Sequence, residues 1–262
     1  MDPLEAPVEN PVRRDHRFEG GAGPAPVWGG VLIGGGGRRM GAPKHLLRHR
    51  GATLAEWAVA ALAPHAEGVV LLGAGAVPES LAALPRLADA ALTLSIDDGS
   101  ERRRRSRHDG AGGGTAAAEA SAEVVDRAPS GPLAGMLAAV RWRPEAAWLF
   151  APCDLPEIAP AAVAWLLGER RPGRWAVLPR VAPGAPVEPL FALYEPPAHR
   201  LLEELARSPP PGRAPRRLAA HPRVSVVTVP PALARCWAGA NTPAELAALR
   251  RPGGGERGGR GG

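Results

Sequence analysis

Short, uniformly apolar runs alternate along this chain with segments of helical period, and that alternation is the strongest constraint on its fold. The runs at 68–72 (GVVLL), 147–151 (AWLFA), 175–178, 190–194 and 224–229 read as strands, and another at 31–33 (VLI) enters a glycine cluster. Segments 53–62, 132–140, 161–167, 197–206 and 243–249 read as helices. Strands that are apolar throughout are covered on both faces, and the intervening helices supply the cover. The expected fold class is α/β: a single three-layer domain, a mostly parallel sheet with helices on both faces. Ligands of such sheets sit beyond the carboxyl ends of the strands. Two ends stand out: the glycine-rich turn after Ile33, and Asp154 just past the strand that holds Phe150.

Composition limits how much of the chain this fold uses. There are 33 glycines and 31 prolines among 262 residues, and they cluster. Residues 1–26 read as a disordered leader, 252–262 as a disordered tail, and 97–121 as a low-complexity insertion. That leaves 27–251 as one domain. Net charge is +6, yet 102–107 (RRRRSR) contributes +5 and the tail from Arg250 contributes +3, so the body is near neutral. Such an arginine run is more often a solvated loop than a nucleic-acid or membrane-binding site. No stretch reaches membrane-spanning length. The first residues lack the apolar run of a signal peptide. Two cysteines, Cys153 and Cys236, make neither a disulfide framework nor a four-ligand zinc site. A cytoplasmic location is expected.

The segment Leu32-Ile33-Gly34-Gly35-Gly36-Gly37-Arg38-Arg39-Met40-Gly41-Ala42-Pro43-Lys44 carries the first chemical signal. Its glycines let the backbone approach a phosphate and direct several N–H groups at it. Two arginines and a lysine supply positive charge, arginine as a fork and lysine as a point charge. The segment is not a P-loop, because Pro43-Lys44-His45 stands where Gly-Lys-Ser/Thr is needed, and no Gly-x-Gly-x-x-Gly register fits. The plainer alternative is a flexible linker.

Three further segments stand out. Gly131-Pro132-Leu133-Ala134-Gly135 opens a helix, with proline at a position that tolerates it. Ala151-Pro152-Cys153-Asp154-Leu155-Pro156 holds a carboxylate between prolines at a strand end. That group suits Mg²⁺, which takes one or two carboxylates plus substrate phosphates, and equally suits a helix cap. Asn241-Thr242-Pro243 with Glu245 reads locally as a helix cap.

Together these motifs resemble the MobA-like nucleotidyltransferase family, in particular the molybdenum cofactor guanylyltransferases. The entry pattern LxGGxxxRMGxxKxLL is matched by Leu32, Gly34, Gly35, Arg39, Met40, Gly41, Lys44, Leu46 and Leu47. GPLAG, PCDxP, a PLxALY segment at 189–194 and NTPxEL at 241–246 follow in the family's order. Two positions depart from it: Glu188 replaces an amide or imidazole, and Gly239 stands where an asparagine is expected. The resemblance implies a Rossmann-like nucleotidyltransferase fold in which the terminal phosphate of molybdopterin attacks the α-phosphorus of GTP. Pyrophosphate then leaves and a guanine dinucleotide cofactor forms.

It further implies catalytic roles for Lys44, Arg39 and Asp154, with Asp154 as ligand of a Mg²⁺ cofactor. Nucleotide contacts fall to Leu32, Ile33, Gly34, Gly35, Lys44, Gly73, Gly131, Pro132 and Asp154, and Asn241 and Thr242 lie at the pterin. A family aspartate before GPLAG corresponds to Asp126 or Asp89, and spacing leaves both open. The implied partners are GTP, molybdopterin or the molybdenum cofactor, and a molybdoenzyme or cofactor-delivery protein. The same chemistry on other substrates stays open: cytidylyl transfer to molybdopterin, or transfer to a sugar or alcohol phosphate. So does a non-catalytic nucleotide- or RNA-binding protein.

His45 and His49 stand four apart, a spacing that can hold a metal on a helix, with no third ligand evident in the sequence. The seven tryptophans are scattered and read as core or edge residues.

Overall fold

The computed structural model describes residues 24–33, 42–87, 131–209 and 214–249. Most of the leader, the whole insertion and the tail lie outside these residues. A seven-stranded sheet forms the centre, made of β1 (Val27–Leu32), β4 (Gly68–Leu72), β5 (Arg86–Leu87), β6 (Ala147–Pro152), β7 (Ala176–Arg180), β8 (Ala192–Tyr194) and β9 (Val224–Thr228). Its order is β5-β4-β1-β6-β8-β7-β9. β8 runs antiparallel to both neighbours, and every other pairing is parallel. A small hairpin of β2 (Arg48–His49) and β3 (Ala52–Thr53) stands apart from the sheet.

Side chains on alternate positions of each strand feed two separate cores, as the pleat requires. Val70, Leu72, Trp148, Phe150 and Tyr194 face one layer, where they pack with Leu133, Met136 and Leu137 of helix α2 (Pro132–Trp142) and Leu202 of helix α4 (His199–Arg207). Val69, Leu71, Leu149 and Leu193 face the other, against Leu62 of helix α1 (Leu54–Leu62) and Val163 of helix α3 (Pro160–Gly168). Each large apolar side chain taken from water here stabilises the fold by about 2 kcal/mol. Helices therefore cover both faces, as the uniformly apolar strands require. None of the helices among the described residues is long and apolar enough to cross a membrane.

Local chemistry sets the element ends. Thr53 and Glu56 close a capping box on α1: the Thr53 N–H donates to the Glu56 carboxylate at 2.6 Å, and the Glu56 N–H donates to the Thr53 hydroxyl at 3.2 Å. Pro132 occupies the first turn of α2, after Gly131 in a left-handed conformation (φ 68°). Gly30 lies inside β1 rather than breaking it. A Cβ there would come within 2.7 Å of both Leu72 and Phe150, so the bare backbone lets the layers close. Trp28, Trp142 and Trp148 cluster together, with the Arg143 guanidinium 4.0 Å from the Trp28 ring centre.

α4 begins on His199, which is buried. Burial pushes its imidazole down to about 4, against a hydrogen bond to the Pro144 carbonyl and the Glu145 charge, which both pull it up. Between pH 6.5 and about 4 the unfolded chain therefore takes up a proton that the folded one refuses. The stability that the neutral ring supplies is present above pH 6.5 and is lost as pH falls through this window. The loss is on the order of 3 kcal/mol. Urea unfolding at pH 7, 5.5 and 4.5 measures it, and His199→Gln flattens that part of the profile. Equal slopes in wild type and variant contradict the assignment.

Candidate functional site

The parallel pairing of β1 with β4 and β6 sets Leu32 level with Leu72 and Pro152, so three carboxyl ends open at one edge of the sheet. Ile33, Gly73 and the turn at 153–154 follow these ends directly. Gly73 adopts φ +134°, and a Cβ there would fall 1.8 Å from the Ile33 carbonyl oxygen, so no other residue fits. The start of α2 reaches the same edge, because a Cβ on Gly135 would touch Leu32 and Leu72 at 3.1 and 3.2 Å. Leu32 and Ile33 are buried, and the Ile33 N–H donates to the Leu72 carbonyl at 2.9 Å. Any ligand contact from this strand end is then a backbone contact.

Lys44 sits in a single 3-10 turn, Lys44–Leu46, and reaches the β6 end. Its ammonium donates to Asp154 Oδ2 at 3.2 Å and to Asn241 Oδ1 at 2.7 Å. The three side chains come from positions 110 and 197 residues apart in sequence. The Asp154 carbonyl also accepts from the Ala240 N–H at 2.9 Å, which ties the Asn241 segment to the turn. Helix α5 (Pro243–Ala248) fixes the far side. The Glu245 N–H donates to the Thr242 hydroxyl at 3.2 Å, and the Asn241 N–H donates to the Glu245 carboxylate at 2.7 Å. Thr242 thus acts as a cap, and the cap aims Asn241 at Lys44.

A buried carboxylate three residues past Asp154 braces the same segments. Glu157, only 6% exposed, accepts from Arg50 at 2.9 Å and Arg235 at 2.7 Å and meets His49 Nε2 at 3.3 Å. These partners lie on the hairpin after Lys44 and on the turn that leads to Asn241. His45 instead bonds the Ala76 carbonyl at 2.8 Å. The two histidines lie on different elements and face different partners. Among the described residues no group of three or more His, Cys, Asp or Glu could hold a metal. Both cysteines are buried, and neither is in a disulfide.

A cavity of about 270 Å³ opens beside Asp154. Pro152, Leu155, Leu190, Phe191 and Trp237 form its apolar wall, and Asp154, Glu188, Asn241 and Gly239 complete the lining. Partial desolvation and the neighbouring Asp154 charge both hold the Glu188 carboxyl above its usual range. The Trp237 indole donates to the Phe191 carbonyl at 3.2 Å, and their rings stack at 4.6 Å. At Gly239 an added Cβ would meet only the Asp154 carbonyl, at 3.7 Å, which is ordinary contact. The position therefore has room for a side chain.

The structure brings together Lys44, Asp154 and Asn241. It places Leu32, Ile33 and Gly73 at the same sheet edge, and Gly131 and Pro132 open the helix whose Gly135 packs on Leu32 and Leu72. Gly34, Gly35, Arg39, Asp89 and Asp126 lie outside the described residues. Glu157 and the wall residues Leu155, Leu190 and Trp237 are functional-site residues that no motif in the sequence marks as such. The only signal for Trp237 was its place just before the Gly-Ala-Asn segment, and Glu157 carried none.

Asp154 fits a hard cation. Its Oδ2 meets Lys44, and its Oδ1 has no hydrogen bond or ion pair among the described residues. An oxygen donor at a strand end, with phosphates still to come from substrate, is the set that Mg²⁺ accepts.

Comparison with known proteins gives the family and the fold. The family described as MobA-like NTP transferase domain matches residues 29–226, which leaves Asn241 and Thr242 past the matched range. No curated protein matches the chain by sequence. Among solved structures, the chain is similar to molybdopterin-guanine dinucleotide biosynthesis protein A from Archaeoglobus fulgidus. The two are 21% identical over 85% of this chain and 96% of that one, with a TM-score of 0.52. It is also similar to a nucleotidyl transferase from Methanothermobacter, 17% identical over 86% of this chain and 95% of that one, TM-score 0.54. The protein Rv0371c from Mycobacterium tuberculosis gives 17% identity over 86% and 98%, with a TM-score of 0.54. At these identities the likeness shows the shared fold.

Proposed function

The chain belongs to the MobA-like NTP transferase family and is a nucleotidyltransferase, and from that premise we propose that it transfers GMP from GTP to the terminal phosphate of molybdopterin or the molybdenum cofactor. The products are pyrophosphate and the guanine dinucleotide cofactor. The observation that carries this reading is the meeting of Lys44, Asp154 and Asn241 at the carboxyl edge of the sheet.

Phosphoryl-type transfer needs little covalent help, so positioning and charge neutralisation do most of the work. Lys44 offers a point charge to phosphate oxygens. Asp154 holds that ammonium in place through Oδ2, and its other oxygen, without a partner among the described residues, would be available to hold Mg²⁺. Mg²⁺, when bound, neutralises charge on the nucleotide phosphates. We assign the nucleotide side to the backbone at Leu32, Ile33, Gly73 and Gly131, and from the entry motif alone we assign nucleotide contacts to Gly34 and Gly35 and a phosphate-neutralising charge to Arg39. Asn241 orients Lys44 from the acceptor side. No general base is required, because the attacking phosphate is already ionised. A cytoplasmic enzyme that passes its product to a molybdoenzyme or a delivery protein is the corresponding cellular role.

Calorimetric titration with GTP, CTP and ATP, each with and without Mg²⁺, tests the nucleotide half. Binding of GTP alone, dependent on Mg²⁺, is expected, with at least a tenfold preference over CTP. Preference for CTP moves the activity to cytidylyl transfer. No binding of any nucleotide contradicts the reading.

A further inference from the structure

The cavity beside Asp154 contains one polar side chain that nothing else employs. Asp154 is held by Lys44, and Asn241 accepts from the same ammonium. The Glu188 carboxylate has no hydrogen bond or ion pair among the described residues. Its backbone is nonetheless firmly held. The Glu188 N–H donates to the Pro179 carbonyl at 2.8 Å, and Val187 bridges to Arg180 at the end of β7. On the other side the buried Tyr194 hydroxyl donates to the Pro189 carbonyl at 2.7 Å. The Glu188 backbone is thus fixed at the rim of a cavity that its side chain lines opposite an apolar, partly aromatic wall.

The lining selects what enters. The Lys44 ammonium offsets Asp154, whereas Glu188 has no such partner among the described residues and repels phosphate, so the anionic end of an acceptor stays on the Lys44 side. A hydrated divalent ion gains nothing from Pro152, Leu155, Leu190, Phe191 and Trp237. A flat heterocycle gains from that wall, provided it offers N–H donors to the carboxylate. Two parallel N–H donors, as in an amidine or a 2-amino-4-oxopyrimidine edge, match a carboxylate bidentately.

We propose that this cavity takes the ring end of the acceptor and that Glu188 reads its 2-amino-4-oxopyrimidine edge. The inference rests on the reading above that the acceptor is a pterin, and it makes Glu188 a specificity-determining residue. Lys44 and Glu188 then sort the acceptor by charge, phosphate to one and N–H donors to the other. Guanine carries the same edge, so the test separates the acceptor ring from the nucleotide base.

The experiment is a fluorescence titration of the full-length protein with pterin and with lumazine, which has an oxo group in place of the 2-amino group. GTP titration is run in parallel. Wild type is expected to favour pterin by at least about tenfold, since a charged acceptor is left without its donor in the other complex. Glu188→Ala removes the preference and leaves GTP affinity unchanged, which also reports that the variant is folded. Glu188→Gln loses the preference too, because its amide can serve either ring. Equal binding of the two rings by wild type, binding of neither, or a preference that survives in Glu188→Ala overturns the proposal. Loss of GTP binding in Glu188→Ala overturns it as well, by placing the base in the cavity. If wild type favours pterin yet makes no pyrophosphate from GTP and molybdopterin, the transfer reading fails and the role of Glu188 stands.

Discussion

Asp154→Ala leaves a folded protein whose nucleotidyl transfer is lower by at least about a thousandfold. Two magnitudes lead to this. The Asp154–Lys44 ion pair is 3.2 Å long, with side chains 30% and 23% exposed. A pair so open to water stabilises a fold by no more than about 1 kcal/mol. Under the proposed function the carboxylate's contribution to the reaction is far larger, because it is the oxygen donor that would anchor the cation beside Lys44. Losing a single well-placed charge-stabilising group typically costs a hundred- to thousandfold in rate, and here the cation anchor goes with it. Thermal unfolding and pyrophosphate release, measured side by side, check both halves. Wild-type-like release contradicts the role of Asp154. A melting point lower by more than about 5 °C shows that the residue is structural.

Lys44→Ala is expected to lower transfer by a hundredfold or more while the fold again survives. A second effect separates this from general damage. With Lys44 gone, Asp154 has no cation in contact among the described residues, so the nucleotide-free variant binds Mg²⁺ more tightly than wild type. Tighter metal and slower transfer in one variant follow only if the two cations share Asp154. Lys44→Arg does not restore the rate, because a planar fork cannot occupy the point between Asp154 Oδ2 and Asn241 Oδ1, 3.2 and 2.7 Å away. Unchanged metal affinity in Lys44→Ala contradicts the account.

The fold was largely legible in the sequence because the buried strands are apolar on both faces. The runs around Val70, Leu149 and Val226 became β4, β6 and β9, and the helical segments became α1 to α5. Three features escaped. The apolar run is visible only from Val31, yet β1 starts at Val27 and holds Gly29 and Gly30 at its centre, where Gly30 permits close approach of Leu72 and Phe150. The β2–β3 hairpin turns on Arg50 and Gly51, both with positive φ, in a segment too short to show a period. The antiparallel direction of β8 leaves no mark in composition, since a run such as Ala192–Tyr194 looks the same in either sense.

The site was legible in pieces. Lys44, Asp154 and Asn241 each stood in a recognisable motif, yet nothing in their spacing says that they touch. Their meeting depends on the sheet order and on the hydrogen bond from Ala240 to Asp154. Glu157 was invisible for the opposite reason. It is an ordinary glutamate in sequence, and only the fold gathers His49, Arg50 and Arg235 around it.

The most direct test of the central claim is to incubate the full-length protein with GTP, molybdopterin and Mg²⁺ and to identify the product by mass. One pyrophosphate is expected for each guanine dinucleotide formed, with product from Asp154→Ala lower by at least about a thousandfold. Pyrophosphate release that is independent of molybdopterin, or formation of no dinucleotide by wild type, contradicts the claim.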